Sequence, residues 1–472
     1  MLMKTYYPTI GLEIHAELKT QTKMFCSCKN DPDEERPNVN ICPVCMAHPG
    51  ALPVINKKAV ENVIKVGLAL DAKIADFTEF DRKNYFYPDI PKGYQISQYQ
   101  FPIVSGGHLL DIDITRVHLE EDTANNKHDR GDYSLIDFNR AGVPLMELVT
   151  EPVIHDAKTA SDFARELQLL LRHLDVSEAN MEKGEMRVEA NISISPNPKK
   201  FGTKVEVKNS NSFKSVEKAI AYEIARMTEL YESGKEAEIV QETRGWDDNK
   251  QSTFSQRTKE NSQDYRYFPD PDLPKLKLHE AFDLDKMKKE LPELPIAKRA
   301  RYKKEYGLKD EDIEVFINNP KWEVWLEKVA KNLNNKDKIQ IASNFITTDF
   351  AGLVRKNGTV NLPSENNFVE LVNLFAEGKI SSRVAKDILA IIALQDESPM
   401  KIATEKNLLQ QNDEGDLSII VGKIISENPE IVAIYRAGKE NAIMSLVGKI
   451  IKESNGSANP QIVIQLLKEM LK

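Results

Sequence analysis

Residues 10–18 read Ile-Gly-Leu-Glu-Ile-His-Ala-Glu-Leu. The alternation is strict: Ile10, Leu12, Ile14, Ala16 and Leu18 fall on one side, Glu13, His15 and Glu17 on the other. That two-residue period is the signature of a strand with one buried face. It also places two carboxylates and an imidazole in one row, either a wetted sheet surface or the start of a site. The same kind of segment recurs at 111–121, 145–151, 187–195 and 204–208. Between these lie helix-period stretches at 56–70, 157–174 and 215–233. Strands and helices mixed in this way predict a strand-rich α+β domain over residues 1–294.

From about Pro295 alternation stops and helix-length amphipathic runs take over. The runs near 367–376 and 381–393, split by Gly378, predict a helical hairpin. An all-α domain is therefore expected over 295–404. The polar stretch Glu405–Asp416 reads as a linker, followed by a small helical tail domain over 417–472.

The chain has 472 residues and a net charge of −9. Residues 1–280 hold 36 Lys and Arg against 45 Asp and Glu, a balance of −9, and the remaining 28 of each cancel. A uniformly basic nucleic-acid binder is excluded. No apolar run approaches the roughly 18 residues of a membrane span, and the first residues lack a secretory apolar core. A soluble, cytoplasmic protein without a membrane partner is expected.

All four cysteines fall within twenty residues: Cys26 and Cys28, then Cys42 and Cys45. Two close pairs across a loop are the layout of a four-thiolate zinc site. With every corner taken by sulfur, the ion would be structural, fixing the loop 26–45.

Two further acids stand among apolar neighbours. Glu121 continues the side of Val117 and Leu119, and Glu147 lies between Leu145 and Val149. A carboxylate in such a place needs a cation or a metal ion. Carboxylates with one imidazole suit a hard divalent ion such as Mg2+ beside phosphate oxygens; a buried ion pair is the alternative. Cations also recur beside amides and aromatics, at Arg82-Lys83-Asn84-Tyr85, Asn139-Arg140, Arg187, Lys208-Asn209 and Tyr265-Arg266-Tyr267. They could supply phosphate contacts. There is no Walker loop, kinase-type glycine loop or Gly-x-Ser-x-Gly elbow. Residue types and spacing alone stop at a metal-dependent, phosphoryl-handling enzyme. A metal-dependent hydrolase or nuclease remains as a rival.

The segments GLEIHAEL (11–18), CPVCMAHPGALPVIN (42–56), FDRKNYFYPDIPKGYQISQ (80–98), HLEED (118–122), NRAGVPLMELVTEP (139–152), GTKVEVKNSNSF (202–213) and DYRYFPDPDLP (264–274) closely resemble the B-subunit family of the tRNA-dependent aspartyl/glutamyl amidotransferases. The tail resembles it too, in PIAKRARYKKEYGL (295–308), AGKENAIMSLVGKIIK (437–452) and NPQIVIQLL (459–467). The resemblance implies that the strand-rich domain is cradle-like, and that the protein is a ligase forming a carbon–nitrogen bond at the expense of ATP. It implies a heterotrimer with a glutaminase A subunit and a small C subunit, acting on misacylated Glu-tRNA(Gln) or Asp-tRNA(Asn). It implies Mg2+ held by His15, Glu121 and Glu147, with Glu13 beside them. Lys83, with Tyr85 and Lys92, falls near the implied ammonia route. Arg82, Arg140, Lys208 and Arg266 are the expected contacts to ATP phosphates. The resemblance also implies a tail that contacts tRNA, and with it a second rival, a non-catalytic tRNA-binding module. In the neighbouring segment 298–309, Lys298, Arg299, Arg301, Lys303, Lys304 and Lys309 oppose only Glu305, which predicts a phosphate-binding patch or a solvated helix face.

Overall fold

The computed structural model describes residues 5–127, 131–258, 265–358, 360–410, 414–454 and 458–471. It falls into two compact units, Met1–Pro295 and Ile296–Lys472. The first is strand-rich α+β. Its principal strands are β1 (Tyr7–Glu17), β2 (Asp81–Asn84), β3 (Tyr94–Ser97), β4 (Ile112–Glu121), β5 (Pro144–Thr150), β6 (Met186–Ser195), β7 (Val205–Ser210), β8 (Glu242–Asp247) and β9 (Ser252–Thr258). The main sheet runs β9-β8-β7-β6-β1-β5-β4 and continues through the short strands Val104–Ser105 and Lys73–Ile74. Every neighbouring pair is antiparallel except β7 with β8.

The alternation of β1 is realised as read. Ile10, Leu12, Ile14 and Ala16 are buried in the core. They pack with Met146 and Leu148 of β5, Val117 and Leu119 of β4, and Val188, Ala190 and Ile192 of β6. Three helices cover that face: α1 (Lys57–Ala69), α2 (Ala157–His173) and α3 (Phe213–Glu232). Each begins at a residue whose side chain caps the free amides of its first turn: Asn56, Asp156 and Ser212. Gly67 brings α1 close to the sheet; a Cβ there would stand 2.6 Å from Val104 Cγ2 and 2.7 Å from Ile74 Cδ1. The opposite face of the central strands carries the polar rows. The short hairpin of β2 and β3 flanks the end of β4, where Gln98 accepts the Leu119 amide at 3.0 Å.

The second unit is helical. Glu365–Ala376 and Ser382–Gln395 form the hairpin, and Gly378 takes a left-handed φ of 66° between them. Ser364 and Ser381 cap its two helices. Helix resumes at Glu414, inside the stretch read as a linker, of which residues 411–413 lie outside the described set. Leu417, Val421, Leu446, Val447, Ile450, Val463 and Leu467 form the core of the tail helices.

The phosphate-binding patch expected at 298–309 does not form as a cationic surface. Lys298 pairs with Glu323, Arg299 with Glu314 at 2.6 Å, Arg301 with Glu327, and Lys303 with Asp310 at 2.9 Å. Helices 310–317 and 320–333 supply the missing acids, so the cations are largely neutralised by tertiary packing. No helix among the described residues is long and apolar enough to cross a membrane.

Candidate active site

Strand register builds the centre. His15 of β1 stands opposite Glu147 of β5, which stands opposite His118 of β4. Residues directly opposed share a face, so three side chains from three strands meet on the polar side. Glu13 and Glu120, each two residues along, join the same row. His15 Nε2 lies 3.3 Å from Glu147 Oε2 and 3.6 Å from Glu120 Oε1. His118 Nε2 lies 3.4 Å from Glu147 Oε2 and 3.7 Å from Glu120 Oε2. Glu147, His118 and Glu120 are 4%, 3% and 2% exposed, so water screens none of these groups.

Electrostatics follow from that burial. Desolvation raises the Glu147 carboxyl, but His118, His15 and Lys83 outweigh it and hold the group far below the carboxylate range. Burial works against a charged His15, yet its bond to Glu147 and the nearby Glu120 and Glu189 lift it to about 9. Burial likewise opposes the Lys83 ammonium, and Glu120, Tyr267 and Glu147 keep it charged. Glu13 is raised by burial and then by Glu147 and Glu189. The centre is thus a closely balanced set of two imidazoles, one ammonium and several carboxylates.

The donor set fits a divalent ion. Glu13, His15 and Glu147 offer ligand atoms within 4.8 Å of one another, and so do His118, Glu120 and Glu147. His15 Nδ1 is buried without a hydrogen-bond partner. Glu13, Glu189 and Glu206 form a third group on this face, with Lys208 2.7 Å from Glu189 and 3.4 Å from Glu206.

The structure brings together His15, Glu13, Glu147 and Lys83 of the expected set and separates Glu121 from them. Glu121 belongs to the other face of β4. There it meets Lys92 at 2.7 Å and accepts the Ile96 amide at 2.9 Å. It lines a cavity of about 280 Å3 with Lys92, Tyr94, Cys45 and His48. Glu120 and His118 take the place expected of Glu121. The sequence does carry a signal for them: in Val117-His118-Leu119-Glu120 the polar side is 118 and 120, as it is 13, 15 and 17 in β1. Glu147 is in the site, but not as an acid on an apolar face. Its face is the polar one, and the core side of β5 is Met146 and Leu148. A strand apolar at nearly every position does not announce which side is in.

The four expected phosphate contacts are dispersed. Arg82 is held by Asp270 at 2.7 Å and Asp272 at 3.0 Å and stacks on Tyr94. Arg140 donates to the carbonyls of Thr123 and Ala124 and lies 3.7 Å from Asp122. Arg266 is exposed, with a left-handed φ of 47°. Only Lys208 borders the acid row. Arg187, opposite His15 in register, donates to Asp122 at 3.1 Å.

The four cysteines converge. All four sulfurs lie within 4.8 Å of one another, and Cys42 Sγ to Cys45 Sγ is 3.9 Å. Tetrahedral Zn–S bonds of about 2.3 Å put sulfurs about 3.8 Å apart, so the cage has the size zinc requires. The Cys45 thiol is pulled down to about 5 by its bond to Cys26, with Lys23 assisting against desolvation. The Cys42 amide donates to it at 3.1 Å.

Comparison with known proteins decides the family. Residues 8–283 match the family described as the GatB/GatE catalytic domain, and residues 325–471 match the GatB domain. The chain belongs to the GatB family of amidotransferase B subunits. It is 44% identical to the B subunit of the aspartyl/glutamyl-tRNA(Asn/Gln) amidotransferase of Caldanaerobacter subterraneus, with 99% of each chain covered. It is 43% identical to the protein of the same name from Picosynechococcus, covering 99% of this chain and 98% of the relative. With the one from Persephonella marina identity is 42%, over 99% of this chain and all of the relative. Every residue of the acid–imidazole centre falls within the stretch matched to the family's catalytic domain.

Proposed function

We propose that this chain is the carboxylate-activating subunit of a tRNA-dependent amidotransferase. The observation that carries the reading is the strand-held cluster of His15, His118, Glu120 and Glu147 with Lys83 beside it. Relatives that match over 98–99% of their length are named as B subunits of an aspartyl/glutamyl-tRNA(Asn/Gln) amidotransferase, which supports the reading. The substrate is the side-chain carboxylate of glutamate on tRNA(Gln) or aspartate on tRNA(Asn). A carboxylate oxygen bonds to the γ-phosphorus of ATP, and the bond to ADP breaks. Ammonia, released from glutamine by an A subunit, then bonds to the acyl carbon. Inorganic phosphate leaves and the ammonium proton is lost, giving the amide.

Glu13, His15, Glu120 and Glu147, with His118, would hold Mg2+, which supplies charge neutralisation between phosphates and carboxylate. Lys83 supports the reaction from the protein side. Its buried ammonium faces Glu120 and Glu147 and offsets anionic charge brought beside them. The β2–β3 hairpin fixes the cluster, since Ser97 Oγ donates to Glu120 Oε2 at 3.0 Å. Lys208 is the expected phosphate contact that borders the row. The Cys26/Cys28/Cys42/Cys45 cage would hold a structural zinc ion. The chain would work in the cytoplasm with the A subunit and a small C subunit, and the helices of 417–472 would contact tRNA.

Reconstitution with the A and C partners tests the reading. Amide formation on Glu-tRNA(Gln) or Asp-tRNA(Asn) should require ATP and a divalent ion, and charged tRNA should stimulate ADP release. Amidation independent of ATP would refute it.

A further inference from the structure

A tyrosine cluster borders the acid row, and the chemistry above gives it no task. Tyr99 and Tyr267 are stacked, with ring centroids 4.4 Å apart and planes 11° from parallel. Tyr267 meets Tyr265 edge-on at 6.0 Å, and Tyr265 meets Tyr85 edge-on at 5.9 Å. Lys83 Nζ sits 5.2 Å from the Tyr265 ring centroid, so the cluster runs directly to the ammonium beside the acid row. Tyr99, at the other end, is 61% exposed although one face is covered by Tyr267, and among the described residues no second ring stacks on it.

The rings are held in place. The Tyr99 amide donates to Asp81 Oδ2 at 2.9 Å, and Asp81 is 3% exposed. Arg266 between the two tyrosines adopts a left-handed backbone, unusual for a long side chain. Asn84 stabilises that turn, its side-chain amide donating to Tyr265 O at 3.1 Å and Arg266 O at 2.9 Å. A rigid aromatic pair with a free face loses little entropy on receiving a flat partner. Nucleobases are such partners, and stacking on an aromatic ring suits them.

We propose that the open face of Tyr99, backed by Tyr267, receives an adenine ring and so positions its nucleotide at the acid row. This rests on the functional reading above, which supplies two adenines: that of ATP and that of the 3′-terminal adenosine of the acceptor end. Stacking would recognise either.

The experiment uses the full chain with Tyr99→Ala and Tyr99→Phe. One arm compares binding of ATP with that of tripolyphosphate, which has no base. The other compares tRNA ending in CCA with tRNA ending in CC. In the unsubstituted chain, the ligand with the adenine should bind more tightly in the arm that uses the platform. Tyr99→Ala should reduce that preference by roughly ten- to a hundredfold, the usual range for losing one base–aromatic stack. Tyr99→Phe, which keeps the ring, should retain it. Unchanged preferences in both arms for Tyr99→Ala would overturn the proposal, as would equal weakening of ATP and tripolyphosphate with the tRNA arm unmoved. An unsubstituted chain that binds neither ATP nor tRNA would overturn the functional reading and the proposal with it.

Discussion

At the scale of single residues, Glu120 and Glu121 are neighbours in sequence with opposite surroundings. The side-chain period of a strand is two, so a one-residue shift exchanges the core face for the polar face. Glu120 points to His15 and His118, and Glu121 to Lys92. Glu120→Gln and Glu147→Gln should each slow ATP-dependent amidation by about a hundredfold or more while the complex still assembles. That is the scale of loss for a preorganised electrostatic group. Glu121→Gln should act differently. It removes the charge opposite a largely covered Lys92 and should cost about 3 kcal/mol of stability, as broken buried pairs do. Divalent-ion affinity, titrated calorimetrically, should fall for Glu120→Gln and Glu147→Gln and hold for Glu121→Gln. Loss of metal binding in Glu121→Gln alone would restore Glu121 as the ligand. His15 and Glu13 are legible because alternation sets them on one side of β1, whereas Lys83 is marked by the resemblance to the family. Glu120 is marked less plainly: the two-residue period sets it with His118 on the polar side, but the next residue carries the same side chain on the opposite face.

At the scale of elements, strands with clean alternation are legible to within three residues at each end. The β2–β3 hairpin and the β8–β9 pair are not. Strand β8 reads Glu-Thr-Arg-Gly-Trp-Asp, and its Arg244 pairs with Glu242 at 2.6 Å and with buried Glu223 of α3 at 3.1 Å. Such ion pairs are tertiary facts, invisible to a hydrophobic period. The same cause turns the expected cationic patch into paired surface. Lys303→Ala should therefore leave tRNA affinity unchanged within twofold and shift stability by under about 1 kcal/mol, since its pair with Asp310 is exposed. A marked fall in tRNA affinity would show that the segment is a contact after all. The loop 26–45 makes the opposite case, where local spacing alone suffices. Freshly reduced protein should contain one zinc per chain. Cys42→Ser, or prolonged chelation, should lower the melting temperature and also alter the cavity beside Glu121, because Cys45 is part of its wall. Zinc content well below one per chain would exclude the cage as a metal site.

At the scale of the whole molecule, chemistry and charge are unevenly divided. The acidic excess and the candidate metal clusters belong to Met1–Pro295. Ile296–Lys472 holds no such cluster among its described residues and is electrically near neutral. Its last helices pack around their own core of Leu417, Val421, Leu446, Ile450, Val463 and Leu467. A segment with its own core and no reactive cluster can bind but has little means of catalysis. Ending the chain after residue 410 should therefore spare the sheet unit, whose described core residues run from Ile10 to Leu278. In the reconstituted complex, such a truncation should raise the apparent KM for misacylated tRNA at least tenfold. Glutamine hydrolysis by the A subunit should stay within twofold of the full-length value. The two readouts separate binding from folding: a misfolded chain would depress both, whereas loss of a tRNA contact depresses only the first. The comparison should be made at several salt concentrations, because phosphate contacts weaken steeply as salt rises. If the KM of the truncated complex matched that of the full-length complex at every salt concentration, the tail would have no part in holding tRNA. Recognition of the acceptor would then rest with other surfaces of the complex.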